Sequence, residues 1–191
     1  MRSVKLFLVF CATLATSSVD AAWYQKTDNT IVDPIQSVNG GDLSYSGNDL
    51  QPYADLTNAD LRYADLDRAK LRETDLTSAN LEGANLFRAV LGFADLIDAD
   101  LTNADLRYAD LVWADLSGAD LSGSDFTDTL YYGYATWTDA YYYTDNEPTW
   151  AIGMTPSWRT SEGILALSVP EPASLLLALF GLALLPRRRR R

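Results

Sequence analysis

The chain has 191 residues, a formal net charge of −11 and an isoelectric point near 4.3. It contains no histidine, and its one cysteine, Cys11, lies in an apolar N-terminal stretch. These facts exclude histidine-based catalysis or metal ligation, an internal disulfide, and a basic surface for nucleic acid.

The first predicted element is an address. Arg2 and Lys5 form a basic start, Leu6–Ala15 is apolar, and small residues continue up to Ala21, with Val19 three positions before the expected cut. This order predicts a secretory signal peptide over residues 1–21. The apolar run is too short for a membrane span. Phe10 precedes Cys11, where lipoprotein processing would need a small residue. Residues 22–53 carry no repeat and hold the turn signals Asp33-Pro34 and Asn39-Gly40-Gly41. Leu50 is one residue out of phase with Leu56. This stretch reads as an entry cap over the unpaired edge of the next element.

From residue 54 to 128 the text is periodic. Leucine recurs every five residues from Leu56 to Leu121, and Phe126 takes the next slot. Two residues before each stands a small residue, Ala at nearly every position, with Thr74 and Ser124 in its place twice. Between them lies Asp in most repeats; Asn80 and Asn85 are close substitutes, and Lys70 and Val90 depart. On an α-helix five residues advance about 500°, so the leucines would form no stripe. On a strand five is odd, so they would alternate faces. The solution left is a chain that turns a corner every five residues and stacks coil on coil. The thirteen residues ADLTNADLRYADL occur twice, at Ala54–Leu66 and Ala99–Leu111.

The A-[DN]-L-x-x pattern of residues 54–128 resembles the pentapeptide repeat family. The resemblance implies an all-β fold, a right-handed quadrilateral β-helix with four pentapeptides per coil and nearly four coils. At the usual strand spacing the stack is roughly 18 Å tall. Four repeats per coil would start the two thirteen-residue copies on adjacent sides. That arrangement suits a duplicated scaffold better than a duplicated site.

Four per coil also sorts the outward residues into four sides. One side reads Arg72/Glu73, Gly92/Phe93, Val112/Trp113; its neighbour reads Asp67/Arg68, Phe87/Arg88, Arg107/Tyr108. The other two are small and polar apart from Ile97. Phe87, Arg88, Phe93, Arg107, Tyr108 and Trp113 are therefore the candidate interaction surface, exposed to a partner or covered by a flank or a second copy. The Asp ladder is a candidate for loose Ca²⁺ recruitment, although no D-x-D-x-D-G loop is present and solvated outward charge is the simpler account.

Residues 129–168 change character. Tyr131, Tyr132, Tyr134, Trp137, Tyr141, Tyr142, Tyr143, Trp150 and Trp158 crowd the segment. They predict an irregular aromatic exit cap, or a platform for stacking sugar rings. Glu147 with Asp145 or Asp139 has the composition of a hydrolytic carboxylate pair, but acids at this density are expected by chance in a turn-rich segment.

The last element, residues 169–191, has three parts. Pro170, Glu171 and Pro172 come first, then the apolar run Ala173–Leu185, then Arg187, Arg188, Arg189, Arg190 and Arg191. An apolar helix of that length covers about 20 Å, short of a ~30 Å hydrocarbon core. The arginines would stay in the cytoplasm. The order resembles the PEP-CTERM sorting signal. That resemblance implies a membrane protease of the exosortase type as partner, transient membrane insertion through the apolar run, and delivery to the cell surface or beyond. Between Ala22 and Val169 the balance is 24 acids to 8 bases.

The expectation is an exported, non-enzymatic structural or interaction protein without a cofactor. Its partners would be an extracellular polysaccharide or a surface protein. The alternatives are a carbohydrate-binding module and a DNA-mimicking topoisomerase inhibitor; an export signal argues against the second.

Overall fold

A computed structural model describes residues 24–28, 30–32, 35–40 and 49–169. The expected signal peptide and the sorting residues Pro170, Glu171, Pro172 and Arg187 to Arg191 lie outside the described residues.

The five-residue period builds a β-solenoid. Asp55 pairs in parallel with Asp75, Asp75 with Asp95, and Asp95 with Asp115; the same step of twenty residues runs through Asp60, Asn80, Asp100 and Asp120. One coil is therefore four repeats. The coils are sewn together by backbone bonds. Leu56 N donates to Asp75 O at 2.7 Å, and Asp75 N donates back to Ala54 O at 3.0 Å.

Corners separate the short paired segments. Ala59 N donates to Leu56 O at 3.0 Å, closing a turn over Thr57 and Asn58, and every repeat does the same. The second turn residue has positive φ, as in a type II turn. Here even Arg68, Arg88, Phe93, Tyr108 and Trp113 adopt φ between 57° and 59°. Coil stacking holds these bulky residues in a region they rarely enter. The central Asp stabilises the corner from outside. Asp55 Oδ1 accepts from Thr57 N at 3.1 Å, and Asp75, Asp100, Asp110, Asp115, Asp120 and Asp125 repeat the contact with their own i+2 amides. This is the Asx turn, and it explains why the slot wants Asp or Asn.

The leucines from Leu61 to Leu121 are fully buried in one column of core, with the alanines beside them. Each buried leucine contributes on the order of 1.5–3 kcal/mol before entropy is subtracted. Thr74 and Ser124 enter the alanine slots without leaving a polar group unmet. Their hydroxyls donate to Leu71 O and Leu121 O, each at 2.6 Å.

The N-terminal flank has regular structure of its own and pairs with the first coil. Strands β1 (Tyr24–Gln25) and β2 (Ile31–Val32) pair antiparallel. Lys26 and Ser37 bridge the first coil at Ala69 and Ala64, and Asp65 N and Lys70 N donate to Gln36 O and Gln25 O. The coil's lower edge is thus covered on that side. Leu50, though out of phase, is buried and pairs with Tyr24.

The other flank differs from a simple exit cap. The ladder continues past residue 128: Asp110 pairs with Leu130, Asp115 with Thr136, Asp120 with Tyr141 and Asp125 with Thr149. Residues 129–149 therefore form one more coil with the repeat text gone. Backbone pairing needs no leucine. The interior is filled instead by Trp137, Ala140 and Tyr142, and extra residues bulge outward at the corners. A 3-10 helix at Tyr132–Tyr134 makes one such corner. Helix α1 (Pro156–Ser161) begins with Thr155 accepting from Trp158 N and lays Trp158 across Trp137 and Tyr132. Strand β4 (Leu165–Leu167) then pairs in parallel with β3 (Tyr141–Tyr143).

Candidate functional site

The turn geometry decides what faces outward. The two central residues of each corner point away from the core, and the twenty-residue register stacks them into four walls. On one wall Phe93 N donates to Val112 O, so Phe93 and Trp113 occupy adjacent coils as the spacing predicts. They are 44 % and 58 % exposed. Their rings engage other partners. The Arg72 guanidinium lies 4.5 Å from the Phe93 centroid, and Trp113 meets Tyr134 at 5.5 Å. Tyr53 stands below them on the same wall, its amide donating to Arg72 O. The register of twenty also places Tyr53 on this wall, although the repeat text starts only at Ala54, whereas it does not single out Tyr134. Tyr134 is twenty-one residues beyond Trp113, so the strict period hides it.

The neighbouring wall gathers Phe87, Arg88, Arg107 and Tyr108. Phe87 and Tyr108 meet edge to face at 5.5 Å. The Arg88 guanidinium lies 5.0 Å from the Phe87 centroid and 5.5 Å from that of Tyr108. Arg107 is held by both oxygens of Asp105, at 2.9 and 2.6 Å, and reaches the Phe87 ring at 5.5 Å. A hydrogen bond to Asp128 and its negative charge raise the Tyr108 phenol above its ordinary pKa. Directly above Tyr108 opens a cleft of about 500 Å³ lined by Asp128, Thr129, Leu130, Tyr132, Ala151 and Ile152. A second cleft, of about 510 Å³, lies between one polar wall and the end of β3, lined by Thr102, Asp120, Ser122, Tyr143, Asp145, Asn146 and Val169. Both clefts draw on the unrepeated coil, whose path the period does not describe.

The flanks touch the ring-bearing walls at their ends, Lys26 and Asp28 on Asp67 and Arg68 and Tyr134 on Trp113, and leave Phe93 and Tyr108 exposed among the described residues. The N-terminal segment pairs along Ala64 and Ala69, at the lower edge, and not over Phe93 or Trp113. No group of three or more acidic or cysteine side chains among the described residues is placed to hold a metal ion. Glu147 is a strut: it accepts from Trp150 Nε1 at 3.2 Å and from Arg159 at 3.0 Å. It shares no such contact with Asp139 or Asp145. No helix among the described residues is long and apolar enough to cross a membrane.

A stacked-coil scaffold with Asp-capped corners and a leucine core defines the class of protein: a β-solenoid whose variable chemistry lies on its walls. Residues 54–92 and 94–130 match the family of pentapeptide repeats, in eight copies, and the chain belongs to that family. Among solved structures it is similar to alr5209, a pentapeptide repeat protein from Nostoc Pcc 7120. The identity is 31 %, over 60 % of this chain and 82 % of that one, with a TM-score of 0.37. It is also similar to Rfr23 from the cyanobacterium Cyanothece 51142, at 32 % identity over 50 % and 63 % of the two chains and a TM-score of 0.29. QnrB1, a plasmid-mediated fluoroquinolone resistance protein, is 18 % identical over 68 % and 71 %, with a TM-score of 0.35. No curated protein matches the chain.

Proposed function

We propose that the chain is an exported, non-enzymatic interaction protein of the cell surface or extracellular matrix. Its body is a right-handed quadrilateral β-helix, and its C-terminal PEP-CTERM signal hands it to an exosortase-type membrane protease. The observation that carries the interaction half is the pair of ring-bearing walls, on which Phe93 and Trp113 stay about half exposed among the described residues. Aromatic surface of this kind on an acidic protein is a place for a partner. The sorting half is supported by the order of its C-terminal parts and by where they begin. Pro170 comes directly after Val169, three residues after the last residue of β4, Leu167, pairs with β3. A cut near Pro170–Pro172 would therefore remove the tail without unpicking the fold. Before the cut, the apolar run would insert transiently in the membrane.

Intact mass spectrometry of protein recovered from outside its native cell tests this reading. The expected mass lacks residues 1–21 and a tail starting near Pro170–Pro172. A full-length mass found only in the cytosol would overturn the reading and favour the topoisomerase alternative. The walls themselves speak for a partner other than a DNA-binding groove, since Arg68, Arg72, Arg88 and Arg107 interrupt the acidic surface. A carbohydrate-binding module is the second reading, favoured by the Tyr143 cleft with its Thr102, Ser122 and Asn146 polar lining.

A further inference from the structure

We propose that Arg88, flanked by Phe87 and Tyr108 and by the cleft above Tyr108, is a binding site for an acidic polysaccharide in which a uronate is spaced by neutral sugars. The proposal rests on the surface or matrix placement above, which brings such a polymer within reach.

Arg88 differs from the other described arginines. Arg62, Arg68, Arg72, Arg107 and Arg159 each have a carboxylate within 4.0 Å. Among the described residues Arg88 has no ion pair, although acids outnumber bases 24 to 8 between Ala22 and Val169. Its contacts are the faces of two rings. The two rings, 77° apart, attract the guanidinium as a cation and are no match for its N–H edges, which meet no carboxylate among the described residues. Those edges form a planar fork that fits a carboxylate through two parallel bonds. Lysine could not present the same fork.

The surroundings of Arg88 select the sugars next to the carboxylate. Tyr108 is 40 % exposed, and the cleft above it adds Leu130 and Ile152, the latter 91 % exposed. The Tyr108 ring offers a flat face, and Leu130 and Ile152 add apolar surface, to the C–H face of a sugar ring. Asp128, on the same cleft, offers a carboxylate oxygen to a sugar hydroxyl. Asp128 also repels a second anion there. The site thus admits one carboxylate at Arg88 and wants neutral, hydroxyl-rich rings beside it. A polymer charged on every unit would meet Asp128 and the acidic remainder of the protein. Nucleic acid is disfavoured for the same reason.

Calorimetry with the purified full-length chain in mild detergent tests the idea without depending on localisation. The probes are gellan oligosaccharides, in which glucuronate is spaced by neutral sugars, with dextran and oligogalacturonate as comparisons. Gellan is expected to bind more tightly than either comparison. Arg88→Gln should weaken gellan binding at least about tenfold with an unchanged melt. Arg88→Lys should recover only part of the loss. Ile152→Ser, on a fully exposed side chain, should weaken binding about threefold and cannot act through folding. Absence of gellan binding by the natural chain would overturn the proposal. So would equal affinity for dextran or oligogalacturonate, or gellan binding insensitive to both Arg88→Gln and Ile152→Ser. An extracellular protein that fails these tests keeps the proposed function and loses this site. A cytosolic protein that passes them does the reverse.

Discussion

Phe126 and Trp150 lie ring on ring, 7° from parallel with centroids 5.7 Å apart. Phe126 holds the last leucine slot, and the tier above it arrives twenty-four residues later, not twenty. Trp137 meets the same ring edge-on at 5.7 Å. The larger side chain at this one slot joins the leucine core to the aromatic core of the unrepeated coil.

Restoring the repeat text here should therefore do harm. Phe126→Leu is expected to cost about 1 kcal/mol through lost ring contacts. Trp137→Ala, at a fully buried ring, should cost about 3–5 kcal/mol. Denaturant midpoints measure both. A stabilised Phe126→Leu variant would show that the ring stack contributes nothing.

The corner residues give a second test. Ser78 has a φ of 56°. Ser78→Val puts a β-branched side chain into the left-handed region and should cost about 1–2 kcal/mol. Ser78→Gly should stay within about 0.5 kcal/mol of the natural chain, since glycine enters that region freely but loses more entropy on folding. Equal thermal midpoints for the valine and glycine variants would contradict the turn geometry.

The Asp ladder should respond to acid unevenly. Thr77's hydroxyl and amide hold the Asp75 carboxyl below its ordinary pKa. Asp75 therefore stabilises the fold above the ordinary carboxylate range, and that contribution is lost as pH falls through its lowered folded value. Asp95 goes the other way: burial, then the charges of Asp75 and Asp115, push it up. Ionised Asp95 destabilises the fold near neutrality, and protonation relieves this as pH falls through its raised value. Asp95→Asn should raise the thermal midpoint at pH 7. The gain should vanish below the ordinary carboxylate range. A gain that persists in acid would assign the effect to packing instead.

Calcium should matter little to the same ladder. Its Oδ1 atoms are spent on Asx turns, as at Asp100 and Asp125. The carboxylates point along separate columns and do not converge on one point. Thermal melts in EDTA and in millimolar Ca²⁺ are expected to coincide. A rise of several degrees with Ca²⁺ would revive a cation role.

On the open wall, Phe93→Ser and Trp113→Ser remove exposed rings. Both variants should keep their stability within about 0.5–1 kcal/mol and lose affinity for any partner that uses the wall. Collapse of the melt instead would make these rings part of the scaffold.

The leucine period was enough to find the core and the wall positions, because coil stacking obeys a fixed register of twenty. It could place Phe93 over the coil below Trp113 for that reason. It could not find Tyr134 or the Thr149 tier, because corner bulges there lengthen the step. Nor could it tell that Trp113 would turn to Tyr134 and Phe93 to Arg72, since side-chain direction depends on the room left by neighbouring corners. Asp in the middle slot was legible as a pattern but not as a turn cap. Only the i+2 amides show what each carboxylate does.

The fixed register has one further effect. Arg62-Tyr63 and Arg107-Tyr108 are the same two letters in the same duplicated text. Forty-five residues is not a whole number of coils, so the second copy is displaced to another side. Tyr63 donates its hydroxyl to Glu82 and packs over Gly83, while Tyr108 lies against Phe87 and Arg88. A repeated text out of phase with the coil thus supplies new chemistry from old words. An insertion of twenty residues would lengthen a wall, whereas one of five, ten or fifteen shifts every downstream side chain to different neighbours.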